Sequence, residues 1–127
     1  MKIGELATRS GLSVHTLRYY EQIGLLPRAH RNPSRHRDYD PDILVWIEFL
    51  GRLKTTNMPI REMLRYAQLR EQGPSTAVER CTLLVDHRDQ VRATIATLNA
   101  CLAVLDVKIA GYAGSTKQVE RKDGKSL

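Results

Sequence analysis

Apolar positions keep a helical rhythm through most of this chain and lose it only between residues 27 and 39. In residues 3–26 the pattern predicts a helix, a tight turn and a second helix. Ala7 is small enough to let the two helices approach, and Gly11 can take the positive φ of the turn without a Cβ clash. Ser13 suits the N-cap of the second helix. Val14, Leu17, Tyr20 and the stem of Glu21 fall on its inner face, which leaves His15, Thr16, Arg18 and Tyr19 on the outer one. The spacing is that of a helix-turn-helix, a unit that presents a helix N-terminus to the major groove of DNA.

After Leu26 and Pro27 the period vanishes for a dozen residues. Asn32, Pro33 and Ser34 signal a turn between arginine-rich arms, so a short β-hairpin, a wing beside the helix-turn-helix, is expected. Asp40, Pro41 and Asp42 then open a third helix: Asp40 can cap, Pro41 suits the first turn, and both acids favour the positive end of the dipole. Its buried face is Ile43, Trp46, Ile47, Leu50 and Leu53, and Asn57 can end it in the left-handed conformation. A fourth helix is expected over about residues 60–71 with Ile60, Met63, Leu64 and Ala67 inward, stopped by Gly73 and Pro74.

The last helix is expected from Thr76, where Thr76 and Glu79 would form a capping box. From Val91 the residues Ile95, Leu98, Leu102, Leu105, Ile109 and Tyr112 follow at steps of 4, 3, 4, 3, 4 and 3, an a/d heptad seam. Extended backwards, the seam passes through Arg88, Leu84 and Cys81. A rod from Thr76 to Tyr112 is roughly 55 Å long at ~1.5 Å per residue, too long for the preceding residues to cover. A second chain must bury it, so residues 76–112 predict a homodimer. The expected organisation is residues 1–73 for a DNA-binding domain, 74–112 for a dimerisation helix, and 113–127 for a flexible tail.

Charge sharpens this picture. The formal net charge is +6 over 127 residues. Residues 1–39 carry seven Lys and Arg against three acids, while residues 40–73 and 74–112 each balance, at five and five and at four and four. Arg28, Arg31, Arg35 and Arg37 cluster in the wing with His30 and His36 between them and no acid. Next to a helix-turn-helix, such a loop is expected to meet phosphate, because neutralising the duplex releases its counterions.

The chain shows no run of 18 apolar residues, no signal-peptide pattern, and two cysteines that do not make a disulfide framework, so a cytoplasmic protein with no membrane partner is expected. No Ser/His/Asp set, paired carboxylates or glycine-rich phosphate loop suggests an enzyme, so no catalytic residue and no cofactor is expected. Cys81 and Cys101 stand twenty residues apart, roughly 30 Å along one helix, and cannot share a metal within one chain; no metal site is expected. Two other readings remain: a coiled-coil protein-interaction module, and a thiol or metal sensor built on Cys81 or Cys101.

Leu17-Arg18-Tyr19-Tyr20-Glu21 followed by Gly24-Leu25-Leu26, the basic wing ending in Arg37-Asp38-Tyr39, two further helices and a long last helix together resemble the MerR family of bacterial transcriptional regulators. The resemblance covers residues 1 to about 112. It implies a mainly α fold: a winged helix-turn-helix followed by a dimerisation helix in an antiparallel coiled coil. It implies binding to a palindromic promoter site whose spacer is bent and untwisted when an effector binds, with RNA polymerase at the same promoter. Thr16, Arg18 and Tyr19 match its recognition-helix contacts, with His15 on the same face. Arg37 and Tyr39 match a wing Arg-x-Tyr that grips phosphate, and Arg61 stands where a second wing nears the backbone. Within the family the chain is nearest the branch responding to aldehyde and thiol stress. Arg52 stands at that branch's cysteine position, and a guanidinium is not a thiolate nucleophile.

Overall fold

The computed structural model describes the backbone of residues 1–31 and 37–118, and the side chains of 1–29 and 38–115. It forms two compact units, Met1–His87 and Arg88–Leu127.

In the first unit, α1 (Ile3–Ser10) and α2 (Val14–Ile23) make the helix-turn-helix. Gly11 closes α1 at φ 78°, its N–H donating to the Ala7 carbonyl. Ser13 caps α2 as expected, its Oγ accepting from the Thr16 N–H at 3.0 Å. Gly24, at φ 93°, ends α2, and the N–H groups of Leu25 and Leu26 both turn back to the Tyr20 carbonyl. That reversal drives Leu25 and Leu26 into the core beside Leu6 and Leu17. A fully buried leucine contributes roughly 1.5–3 kcal/mol, so this corner is a main source of the unit's stability.

Two-residue strands follow. β1 (His30–Arg31) and β2 (Arg37–Asp38) pair antiparallel, with His30 opposite Asp38 and Arg31 opposite Arg37. The expected turn at residues 32–34 lies outside the described residues.

α3 (Ile43–Thr55) buries the expected Ile43, Trp46, Ile47, Leu50 and Leu53. The Trp46 indole N–H reaches across to the Leu25 carbonyl at 2.9 Å, tying α3 to the end of α2. Asn57 has φ 65°, and the Met58 N–H bonds back to the Leu53 carbonyl, so the chain reverses there as the sequence suggests. α4 (Ile60–Glu71) buries Met63, Ala67 and Leu69. Ile60 is 48% exposed rather than inward, because it occupies the first position of α4, ahead of the turn whose inner face Met63 begins.

α5 (Ala77–Gln118) is one unbroken helix preceded by a 3-10 turn at Pro74–Thr76. Three expectations change here. The capping box is absent: the buried Thr76 hydroxyl is directed at the Leu69 and Gly73 carbonyls, and Glu79 pairs with Arg65 at 3.0 Å instead. The first unit does not end at residue 73, since Leu84 packs on its core and His87 Nε2 lies 2.7 Å from the Thr56 hydroxyl. Residues 113–118 are helix rather than tail. Extending an existing helix by one residue adds a hydrogen bond without a new nucleation cost, so Gly111 and Gly114 weaken it without stopping it. Residues 119–127 lie outside the described residues.

In the second unit nearly every side chain of the seam is open in the single chain: Ile95, Leu98, Leu102, Leu105, Ile109 and Tyr112 are each more than half exposed. One 18-residue window of this helix reaches a mean hydropathy of 1.6, enough by length and composition to cross a membrane, which the count of consecutive apolar residues did not register. Its polar and charged positions, among them Asn99, Asp106 and Lys108, interrupt any longer apolar run.

Candidate nucleic-acid interface

The helix-turn-helix sets one face of α2 outward. His15, Arg18 and Tyr19 are exposed on it, Tyr19 by 51%, and none of them contributes to the core. Thr16 is half-buried; its hydroxyl accepts from the Ser13 hydroxyl at 3.0 Å, so it belongs to the cap as well as to the face. Tyr20 turns inward as expected, where its hydroxyl meets the Lys54 ammonium at 3.4 Å. The exposed trio combines a guanidinium, an imidazole and a phenol, groups suited to phosphate oxygens and to the polar edges of base pairs.

Glu21 joins this helix to the wing. Its carboxylate is 8% exposed and faces inward from α2. Oε2 accepts from the Ala29 N–H at 3.1 Å, just before β1, and from the Tyr39 hydroxyl at 3.1 Å, just after β2. Both arms of the wing are therefore fixed to α2 through one carboxylate. On its outer side the same base is held by the N-terminus: the Met1 amine donates to Asp38 Oδ1 at 2.6 Å and to the Tyr39 carbonyl, while the Tyr39 N–H donates to the Met1 carbonyl at 2.7 Å.

Tyr39 thus departs from its expected role. It is 3% exposed, with its hydroxyl spent on Glu21, so it positions the wing from within instead of gripping phosphate from outside. The physical cause is the buried Glu21, which needs donors where water cannot supply them. In the sequence Glu21 offers only a packing stem to the inner face of α2; the signal for its role is an acid on that face with a tyrosine at the wing's exit.

The backbone of Arg37 lies in β2, and its side chain is outside the described residues, as is all of Arg35. Arg61 is exposed in the first turn of α4, on a different element from the α2 trio. Arg52 is exposed and lies 3.6 Å from Glu48 on α3. Cys81 and Cys101 are free thiols, both exposed in the single chain. Among the described residues, no three His, Cys, Asp or Glu side chains gather where they could share a cation.

Comparison with known proteins agrees with this geometry. Residues 2–39, the helix-turn-helix and wing, match the model of the MerR family regulatory protein. The chain is 36% identical over 91 residues to the HTH-type transcriptional regulator AdhR of Bacillus subtilis, covering 72% of this chain and 65% of that protein. The match thus spans just under two thirds of AdhR's length. An uncharacterised HTH-type transcriptional regulator of Haemophilus influenzae is 34% identical over 84% of this chain and 78% of its own. Among solved structures, HiNmlR, described as a MerR family regulator lacking the sensor domain and bound to promoter DNA, superposes with a TM-score of 0.79 at 32% identity, over 93% of this chain and 98% of that one.

Proposed function

Since the chain belongs to the MerR family of DNA-binding transcriptional regulators, we propose that it acts as a homodimer on a two-fold-symmetric promoter site and remodels the spacer between promoter elements for RNA polymerase. The relatives are described as transcriptional regulators; this chain is read as a regulator with no catalytic step of its own, working in the cytoplasm.

The observation that carries the reading is the exposed face of α2, held in place by the Ser13 cap and the Glu21 clamp. His15, Arg18 and Tyr19, with Thr16 at the helix start, enter the major groove, and Arg35 and Arg37 of the wing meet flanking phosphates. Arg61 approaches the backbone from α4. The open seam of α5 supports dimerisation: six large apolar side chains on one helix are more than half exposed, a surface suited to a second copy. Two readers joined in this way engage half-sites on one face of the duplex, spaced by a multiple of roughly 34–36 Å. HiNmlR was captured on promoter DNA without a sensor domain, which supports DNA binding by a chain of this compact kind.

The test is nuclease protection of the DNA upstream of the chain's own reading frame, across a salt series. Protection of a two-fold-symmetric site, with affinity falling steeply as salt rises, is the expected result. Failure to protect any symmetric site at low salt would overturn the proposal.

A further inference from the structure

A cavity of about 560 Å³ lies in the Met1–His87 unit between the end of α1, the inner face of α2, the second half of α3 and Met63 of α4. Its volume is that of a small-molecule site, roughly 300–1,000 Å³. Ile47, Leu50 and Met63, all buried, and the half-buried Leu12 and Leu44 give it an apolar wall. Arg9, Arg52 and Lys54, all exposed, line it as well, against one acid, Glu48.

Two details mark this cavity as a place for a ligand. The first is Gly51, which lines it from inside α3, where glycine destabilises a helix relative to alanine. Neither usual reason for a glycine holds there: its φ is not positive, and a Cβ would meet no atom within 4 Å. The missing side chain leaves bare backbone on the cavity, an arrangement that lets a bound molecule lie close against the helix. The second detail is how the donors are engaged. Lys54 Nζ meets the Tyr20 hydroxyl at 3.4 Å and pairs with no carboxylate among the described residues, and the Tyr20 hydroxyl donates to no group among them. Arg9 and Arg52 pair with Glu5 at 3.3 Å and Glu48 at 3.6 Å, but both pairs are more than half exposed and weak enough to exchange for a ligand.

An inorganic anion would satisfy the cations and leave the apolar wall wet, and a neutral hydrocarbon would do the reverse. We propose that the cavity binds an organic monocarboxylate with an apolar tail. The carboxylate sits on the Lys54 ammonium and the Tyr20 hydroxyl, with Arg9 and Arg52 beside them, and the tail runs along Ile47 and Met63 past Gly51. A molecule so placed touches α1, α2 and α3 at once, so its arrival changes how α2 is held against the core. As an effector site the cavity rests on the promoter-binding reading above; the binding itself does not.

Octanoate, acetate and 1-octanol are the probes, each titrated calorimetrically into the full chain. Octanoate should bind saturably, one per chain, with acetate and 1-octanol weaker by about tenfold or more, since each lacks either the tail's burial or the charge-assisted bonds. Lys54→Met keeps the apolar stem and should raise the octanoate Kd by about tenfold or more, the scale of a hydrogen bond to a charged group. Gly51→Leu fills the cavity from an exposed helix position. Its melting temperature should hold or rise, because leucine is the better helix former, while octanoate binding is lost. No saturable octanoate binding, equal binding of 1-octanol, or unchanged octanoate binding in a folded Gly51→Leu chain would each overturn the site. Weaker promoter binding by Lys54→Met, in a protein that takes up no octanoate, would overturn it in favour of a contact with the DNA backbone. Saturating octanoate should shift the affinity for the protected promoter site by about fivefold or more, the lower end of ordinary coupling between sites. Bound octanoate with an unchanged promoter affinity would refute the effector role. A chain that binds octanoate but protects no DNA would refute the promoter reading alone.

Discussion

Tyr39→Phe removes one oxygen and leaves the ring, so it isolates the bond that ties the wing's exit to α2. The Tyr39 hydroxyl donates to Glu21 Oε2 at 3.1 Å, with both residues more than nine-tenths buried. A hydrogen bond to a charged acceptor contributes about 1.5–3 kcal/mol, and a buried carboxylate deprived of it keeps the desolvation cost. The Ala29 N–H still bonds to the carboxylate, which argues for the lower half of that range. In a domain of this size each kcal/mol shifts the melting temperature by about 4–8 °C, so Tyr39→Phe should lower it by roughly 6–18 °C. Urea unfolding at fixed protein concentration gives the free energy directly, with concentration fixed because dimerisation would otherwise contribute. Glu21→Gln, alone and combined with Tyr39→Phe, completes a double-mutant cycle that should show coupling above ~0.5 kcal/mol. A loss below ~0.5 kcal/mol together with a clear drop in DNA affinity would refute the reasoning. That outcome is what a tyrosine gripping phosphate from outside would produce.

Arg18→Ala should leave the unfolding free energy within ~0.5 kcal/mol of the parent and weaken DNA binding, because Arg18 lies outside the core. If its partner is phosphate, the slope of log affinity against log salt should fall by roughly 0.9 per subunit, measured by fluorescence anisotropy over a salt series. Gly11→Ala places a Cβ on a backbone at φ 78°, which should cost about 1–2 kcal/mol in urea unfolding although no neighbouring atom obstructs it. Arg52→Ala should change stability by less than ~0.5 kcal/mol, since its pairing with Glu48 at 3.6 Å joins two largely exposed side chains.

The parts of the fold legible in the sequence are those a period can announce. The core face of α3 and the seam of α5 repeat at helical spacing, and the turn of the helix-turn-helix rests on two local rules, a glycine at positive φ and a serine cap. Interactions between distant residues carry no period. The Glu21 to Tyr39 bond spans eighteen residues and crosses the wing, so Tyr39 reads from sequence as a surface residue beside arginines. Thr76 and Glu79 satisfy the spacing of a capping box, yet tertiary partners on α4 claim both side chains. Ile60 has the right phase for burial but comes before the first buried turn of α4. The end of α5 is hidden for another reason: two glycines mark a weakened helix, and only their sequence context decides whether it stops.

The clamp at Glu21 has a consequence for how such a reader can change over generations. Leu17 and Glu21, which tie α2 to the core and to the wing, are buried, and His15, Arg18 and Tyr19, the residues proposed to meet DNA, are exposed. The two sets occupy opposite sides of the same ten-residue helix and share no side chain. Target preference can therefore drift by substitution on one side while selection for a folded protein acts on the other.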